Sequence, residues 1–434
     1  MKRTNTDNLY KRRKELVPNG LGYFNDASVK SARGAIITDL DDNEIIDFAG
    51  GIGVLNTGHR PQVVVDAIKN QADKFIHTCF NVAIYEPYLD LAEKLILIIP
   101  HGEKTKVMLT NCGAESVENA IKVARQATKR SAIICYSGAF HGRTLMALTL
   151  TSSVKYKKGC GPFAPEVYRL DYPYYGPKEK LIFTEDEFVK LHVEKLYSFF
   201  STYVNAQDVA GIIIEIVQGE GGFNTAPPEY LHQLRKICDE FGIILIFDEV
   251  QSGFGRTGKW AAFQNYNITP DISTWAKSLG AGLPIGAVLA KQEIFDACPP
   301  SSVGGTYLGN PICCAAALAN LKLMEEININ ELGRNVGSIV RTRFEKIQNR
   351  FPNNVYDIKG LGAMLAIEFV NPETGKPDTD LVKKISQKSL ENGLLIISSG
   401  NYGQCIRILS PLNIENEILN KGLNILENSI AESI

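Results

Sequence analysis

The sequence predicts an α/β fold: a large unit built on a mostly parallel sheet covered by helices, followed by a smaller α+β unit. Three observations predict it. The middle of the chain alternates near-continuous apolar runs with helix-periodic stretches, as strands buried on both faces do. From about residue 326 the pattern changes to amphipathic helices with short strands. A chain of 434 residues also exceeds what a single core is usually built from, so two or more domains are expected.

Taken in order, residues 1–60 carry a predicted hairpin, Ile36–Asp39 with Glu44–Phe48, and are expected to join the small domain. The large domain is expected over 61–325. Within it, Lys106–Leu109 reads as a short strand, Ser116–Thr128 as a helix and Ala132–Tyr136 as a strand. Val209–Ile216 is a strand, apolar except at Gly211 and Glu215. Pro228–Phe241 has proline near its start and Gly242 just beyond its end, the punctuation of a helix. The strand Ile243–Phe247 then ends abruptly at Asp248-Glu249. The small domain, 326–434, is expected to contain a helix at Glu331–Phe351, a strand at Ala363–Phe369 and a helix at Asp378–Asn392. Short strands at Leu394–Ile397 and Cys405–Ile408 and a last helix from Ile414 to about Ala431 complete it.

Composition excludes several classes. Net charge is −2, so nothing recommends a nucleic-acid or anionic-membrane partner. The basic stretch Lys11–Lys14 is short and reads as a solvated helix end. No apolar run reaches membrane-spanning length. Nine cysteines, none in C-x-x-C spacing, and an N-terminus without an apolar signal core point to reduced thiols in a cytoplasmic protein. The six histidines have no metal-ligand spacing, so no metal is expected.

The chemistry gathers around Lys277, between a short apolar stretch and the glycine-rich Gly280–Gly286. A lysine in an apolar pocket loses preference for its charged form and becomes a usable nucleophile. Asp248, at the carboxyl end of a buried strand, can hold a cationic ring nitrogen. Together they suggest a pyridoxal phosphate enzyme; a lone lysine would more often be a solvated charge. Gly113 and Ala114 open a helix after a strand, where backbone amides and the dipole favour phosphate. Phe140-His141-Gly142-Arg143 follows another strand and can face a ring. Arg407 stands alone in an apolar strand and needs an anionic partner, from the protein or from a ligand. Gly253–Trp260 nearly matches a nucleotide phosphate loop, but Trp260 stands where Ser or Thr is required.

The segments Asp47–His59, Tyr85–Tyr88, Gly113–Ala120, Ser137–Thr144, Val217–Gly222, Asp248–Gly253, Lys277-Ser278 and Gly304–Pro311 resemble, in that order, the class III pyridoxal phosphate aminotransferases. Within that family, His77–Phe80 and Cys405–Leu412 are similar to the subgroup acting on 4-aminobutyrate. The resemblance implies a fold type I architecture and a homodimer, or a dimer of dimers, with sites at the interface. It makes Lys277 the Schiff-base lysine and proton shuttle. Asp248 becomes the partner of the ring nitrogen, and Gln251 a neighbour of the ring hydroxyl. Val250 and Phe140 would flank the ring, with His141 beside it. Gly113, Ala114 and, from the partner subunit, Thr306 would bind phosphate.

For substrates, the resemblance makes Arg143 the clamp for the distal carboxylate and Arg407 the reader of the α-carboxylate. Glu220 would pair with Arg407 when the donor lacks that group. Glu215 is the family's acid near these groups, and Ile52 matches the 4-aminobutyrate subgroup. The implied reaction is ping-pong transamination of 4-aminobutyrate with 2-oxoglutarate. Donors such as 5-aminovalerate, ornithine or acetylornithine, an epimerase and, more remotely, a non-catalytic binding protein are the rival readings. The chain departs from the family pattern at Ala114 (often serine), Ile216 (usually proline) and Asn81 (a longer glutamine).

Overall fold

The computed structural model describes residues 1–434. The chain opens with the helix Thr4–Leu16, whose last turn carries Arg13 and Lys14, where cations suit the helix dipole. Three short strands follow: β1 (Ser31–Arg33), β2 (Ile36–Thr38) and β3 (Glu44–Asp47). The expected hairpin is therefore present, each strand one residue shorter than read, and β1 extends it at one edge. On its other edge β3 pairs in parallel with Leu394–Leu395 of the tail, Ile46 opposite Leu394.

The central sheet has seven strands: β4 (Thr105–Thr110), β5 (Ala132–Tyr136), β6 (Val167–Leu170), β7 (Val209–Ile214), β8 (Ile244–Asp248), β9 (Ile272–Trp275) and β10 (Gly286–Lys291). Their order is β4-β10-β9-β8-β7-β5-β6. The run from β9 through β6 is parallel, and β10 is antiparallel to both neighbours. Side-chain alternation divides each strand between two cores. Leu245 and Phe247 join the cluster that includes Leu234 and Cys238 of the helix Pro228–Phe241. Ile246 joins the cluster that includes Val117 and Ala124 of the helix Gly113–Thr128. Both faces are thus apolar, which is why these strands read as unbroken hydrophobic runs.

One consequence positions the site. β4, β5, β7, β8 and β9 run in the same direction, so their carboxyl ends meet at one edge of the sheet. The segments that follow them carry Gly113, Phe140-His141, Glu215, Asp248 and Lys277. Strand β10 begins at this edge with Gly286. A β-carbon there would lie 2.5 Å from Thr110 Oγ1 and 2.6 Å from Ser116 Oγ, so only glycine fits between them.

The tail forms a four-stranded antiparallel sheet, β11 (Val355–Leu361), β12 (Met364–Phe369), β15 (Cys405–Ile408) and β14 (Ile397–Ser399), in that order. The strand read at Leu394–Ile397 is split. Leu394–Leu395 (β13) pairs with β3, whereas Ile397 starts β14 and pairs with Arg407 of β15. The helices Ile329–Arg350, Thr379–Glu391 and Asn416–Ala431 agree with expectation to within two residues at each end.

Candidate active site

The phosphate-binding candidate is built by the β4-to-helix turn. The helix starts at Gly113, three residues earlier than the apolar spacing indicated, and no side chain caps it. Its first amides are therefore left to an anion. Glu115 turns back instead, accepting from the amide of Asn111 at 2.7 Å. A β-carbon at Gly113 would lie 2.9 Å from Val250 Cγ1, which brings Val250 against this helix start. Ala114 packs on Gly142, where an added β-carbon would meet Ala114 Cβ at 2.6 Å. The two small residues let the helix and the Phe140–Arg143 loop approach closely.

Asp248 is buried at the end of β8. Its Oδ2 lies 2.7 Å from Nδ1 of His141, and its Oδ1 accepts from Thr274 Oγ1 at 3.0 Å and from the amide of Val250 at 3.1 Å. His141 is equally buried, and its Nε2 has no partner. Thr274, one strand over, was missed by the sequence reading, because a threonine within a strand gives no signal of its own.

Lys277 follows β9 with φ at +44°, a left-handed conformation uncommon for lysine. Burial lowers its ammonium pKa to about 8, against the opposing attraction of Glu220. The next residue, Ser278, donates from Oγ to the carbonyl of Gly53 at 3.1 Å, tying the lysine's turn to the N-terminal segment that carries Ile52. Ile52 itself sits half-buried at φ +69°.

Glu215 lies behind the loops. Its Oε2 accepts from the amide of Phe140 at 3.0 Å and its Oε1 from the amide of Gly219 at 3.1 Å. Burial pushes its carboxyl up to about 7, with His141 acting in the opposite direction. Gln251 is buried beside Gly219, where an added β-carbon would lie 2.7 Å from its Oε1, and that oxygen has no partner.

The two arginines sit in contrasting surroundings. Arg407 is fully buried, and its Nη1 lies 2.7 Å from Glu220 Oε1. Its Nε and Nη2 have no partner. Burial works to raise the carboxyl pKa of Glu220, but Arg407, with Lys277 and Arg143 behind it, makes the net shift downward. Arg143 is exposed, with its guanidinium carbon 4.0 Å from the ring centroid of Tyr156 and 6.0 Å from that of Phe140. Thr306 lies exposed in the loop before the helix Pro311–Glu326 and makes no hydrogen bond to the residues above. No group of His, Cys, Asp and Glu is arranged to hold a metal.

These residues fit pyridoxal phosphate. An uncapped helix start, a glycine cradle at Gly113, a buried carboxylate and two unpartnered buried polar atoms, His141 Nε2 and Gln251 Oε1, surround the turn that carries Lys277. The family model described as class-III aminotransferase matches residues 22–430. The chain belongs to the class-III aminotransferases. It is 42% identical to a probable 4-aminobutyrate aminotransferase of Bacillus subtilis over 96% of this chain and 95% of that one. It is 41% identical to a 5-aminovalerate aminotransferase of Pseudomonas putida over the full length of both. Among solved structures, the taurine:2-oxoglutarate aminotransferase of Bifidobacterium kashiwanohense, in complex with pyridoxal phosphate and glutamate, superposes with a TM-score of 0.90 at 27% identity, covering 100% of this chain and 99% of that one. This class-III aminotransferase is thus a pyridoxal phosphate-dependent transaminase with the α/β fold read from its sequence. The discounted phosphate-loop match, Gly253–Trp260, forms turns against the core, with Arg256 fully buried.

Proposed function

We propose that this transaminase moves the amino group of 4-aminobutyrate to 2-oxoglutarate, giving succinate semialdehyde and glutamate. One observation carries the reading: Arg407 is buried and already neutralised by Glu220, while Arg143 is free to receive a carboxylate. A donor with only a distal carboxylate meets a site whose second arginine is satisfied. A dicarboxylate needs Glu220 to let go of Arg407, and the unpartnered Nε and Nη2 of Arg407 supply further donors for it. Relatives of both chain lengths support a second donor, 5-aminovalerate.

In this reading Gly113, Ala114 and the partner subunit's Thr306 hold the phosphate of the cofactor. Phe140 and Val250 flank its ring, Gln251 neighbours its hydroxyl, and Asp248, oriented by His141 and Thr274, meets its ring nitrogen. When bound, pyridoxal phosphate supplies a carbonyl that captures the donor amine and a ring that accepts the electron pair left when the donor carbon loses its proton. Lys277 Nζ takes that proton and delivers it, its lowered pKa suiting both directions near neutral pH. Asp248, as a buried anion, keeps the ring nitrogen protonated. Ile52 and Glu215 shape the pocket, Glu215 by pinning the loops of Phe140 and Glu220.

We further propose a homodimer, supported by the exposure of Thr306 and Tyr307 and by the family, and a cytoplasmic setting. No helix is long and apolar enough to cross a membrane. Purified enzyme with pyridoxal phosphate and 2-oxoglutarate, screened against 4-aminobutyrate, 5-aminovalerate, ornithine and acetylornithine, tests the substrate. Glutamate formed from ornithine but not from 4-aminobutyrate would overturn it. Lys277→Ala is expected to abolish turnover, and normal turnover in that variant would overturn the site.

A further inference from the structure

Arg143 makes neither an ion pair nor a side-chain hydrogen bond. It lies on an exposed loop, where an arginine samples many rotamers and is rarely poised for a ligand. What it does have is Tyr156, on the short helix Val154–Lys157. The guanidinium carbon sits 4.0 Å from the centre of the Tyr156 ring, within the range of a cation–π contact. That ring is in turn braced edge-on by Phe140, with centroids 5.5 Å apart and planes at 75°. Tyr156, Phe140 and Glu220 together line a cavity of about 1150 Å³, bounded also by residues 23–26 and 396–403.

We infer that Tyr156 is a positioning residue: its ring, which lines the cavity, holds the Arg143 guanidinium on its face, ready for the distal carboxylate of the substrate. The inference rests on the role proposed above for Arg143. Three features support it. The ring lines the same cavity as Glu220, and Glu220, Arg143 and Arg407 all lie within electrostatic reach of its phenol. Burial, and next Glu220, raise the phenol pKa of Tyr156, so the ring stays neutral and its face stays available to a cation. Phe140, proposed to flank the cofactor ring, also contacts the Tyr156 ring, so the distal clamp is referenced to the reacting centre.

The test uses the holoenzyme. Tyr156→Leu is expected to raise the KM for 4-aminobutyrate, and the Kd for glutarate measured by calorimetry, by about two- to fivefold, the scale of a cation–π contact at an exposed site. kcat and the absorbance of the bound cofactor should move far less. Tyr156→Phe, which keeps the ring, should recover most of the affinity. In a double-mutant cycle, Tyr156→Leu should cost almost nothing further in the Arg143→Met background, because the cation it positions is gone. A ring that only packs would give equal losses in both backgrounds, or a fall in kcat and cofactor occupancy; either result overturns the inference. Failure of wild type to use 4-aminobutyrate would overturn the substrate reading instead, and the glutarate measurement would still decide the role of Tyr156.

Discussion

Arg407 and Glu220 form a buried ion pair at 2.7 Å in which only one of the arginine's terminal nitrogens meets the carboxylate. Removing one partner of a buried pair leaves an uncompensated charge, at a general cost of about 3–5 kcal/mol. Glu220→Gln should therefore lower kcat/KM for 4-aminobutyrate by about a hundredfold or more, because Arg407 then faces the donor unpaired. The half-reaction with 2-oxoglutarate, whose own carboxylate can pair with Arg407, should lose less. Stopped-flow measurement of the two half-reactions checks this, and equal losses would contradict the switch.

Asp248 is held by His141, Thr274 and the amide of Val250, and it differs from asparagine mainly in charge. Asp248→Asn should keep the fold and lower kcat by about a hundredfold or more, the scale on which preorganised charge acts in a dry site. Thr274→Val, which removes only one hydrogen bond to Oδ1, should have a much smaller effect. Steady-state kinetics of the two variants give the comparison.

Lys277 supplies a pH dependence. Its ammonium pKa is lowered to about 8, and only the neutral amine can attack a carbonyl. Capture of pyridoxal phosphate by the apoenzyme should accelerate as pH rises toward about 8 and level off above it. The sign for stability follows from proton binding. Between about 8 and the ordinary 10.5 the unfolded chain holds one proton more at this lysine, so its contribution makes the apoenzyme fold more stable as pH rises through that window. Stopped-flow absorbance tests the first expectation, and chemical denaturation across the window tests the second.

Gly142 has φ at +135°, and an added β-carbon would lie 2.6 Å from Ala114 Cβ and 2.9 Å from Ala147 Cβ. Gly142→Ala should destabilise the protein by about 2–4 kcal/mol through combined strain and overpacking. Because the same loop carries His141 and Arg143, cofactor affinity should fall as well. Calorimetry and cofactor titration are the measurements.

Much of the site could be read before folding because its residues interrupt otherwise regular patterns. Asp248 ends an apolar run, Arg407 breaks one, and Gly113 opens a helix after a strand. Thr274 and Tyr156 break no pattern, and neither was legible. Tyr156 looks like any surface aromatic until its ring is found on Arg143. Strands β1, β6, β9, β10 and β11 were missed for a related reason: what makes them strands is the neighbours they pair with. The Leu394–Ile397 stretch was read as one strand because its apolar character is continuous, although its halves pair in different sheets.

By itself, the sequence determined the class of chemistry. A lysine among apolar and glycine neighbours, a strand-end aspartate and a glycine that opens a helix after a strand are set by residue type and local order, and these survive any arrangement of the chain around them. Tertiary structure alone decided which charges neutralise one another. Glu220 and Arg407 are 187 residues apart in sequence, and His141 and Asp248 are 107 apart. Electrostatic pairing depends on distance through space and on burial, and neither is written in the spacing along the chain.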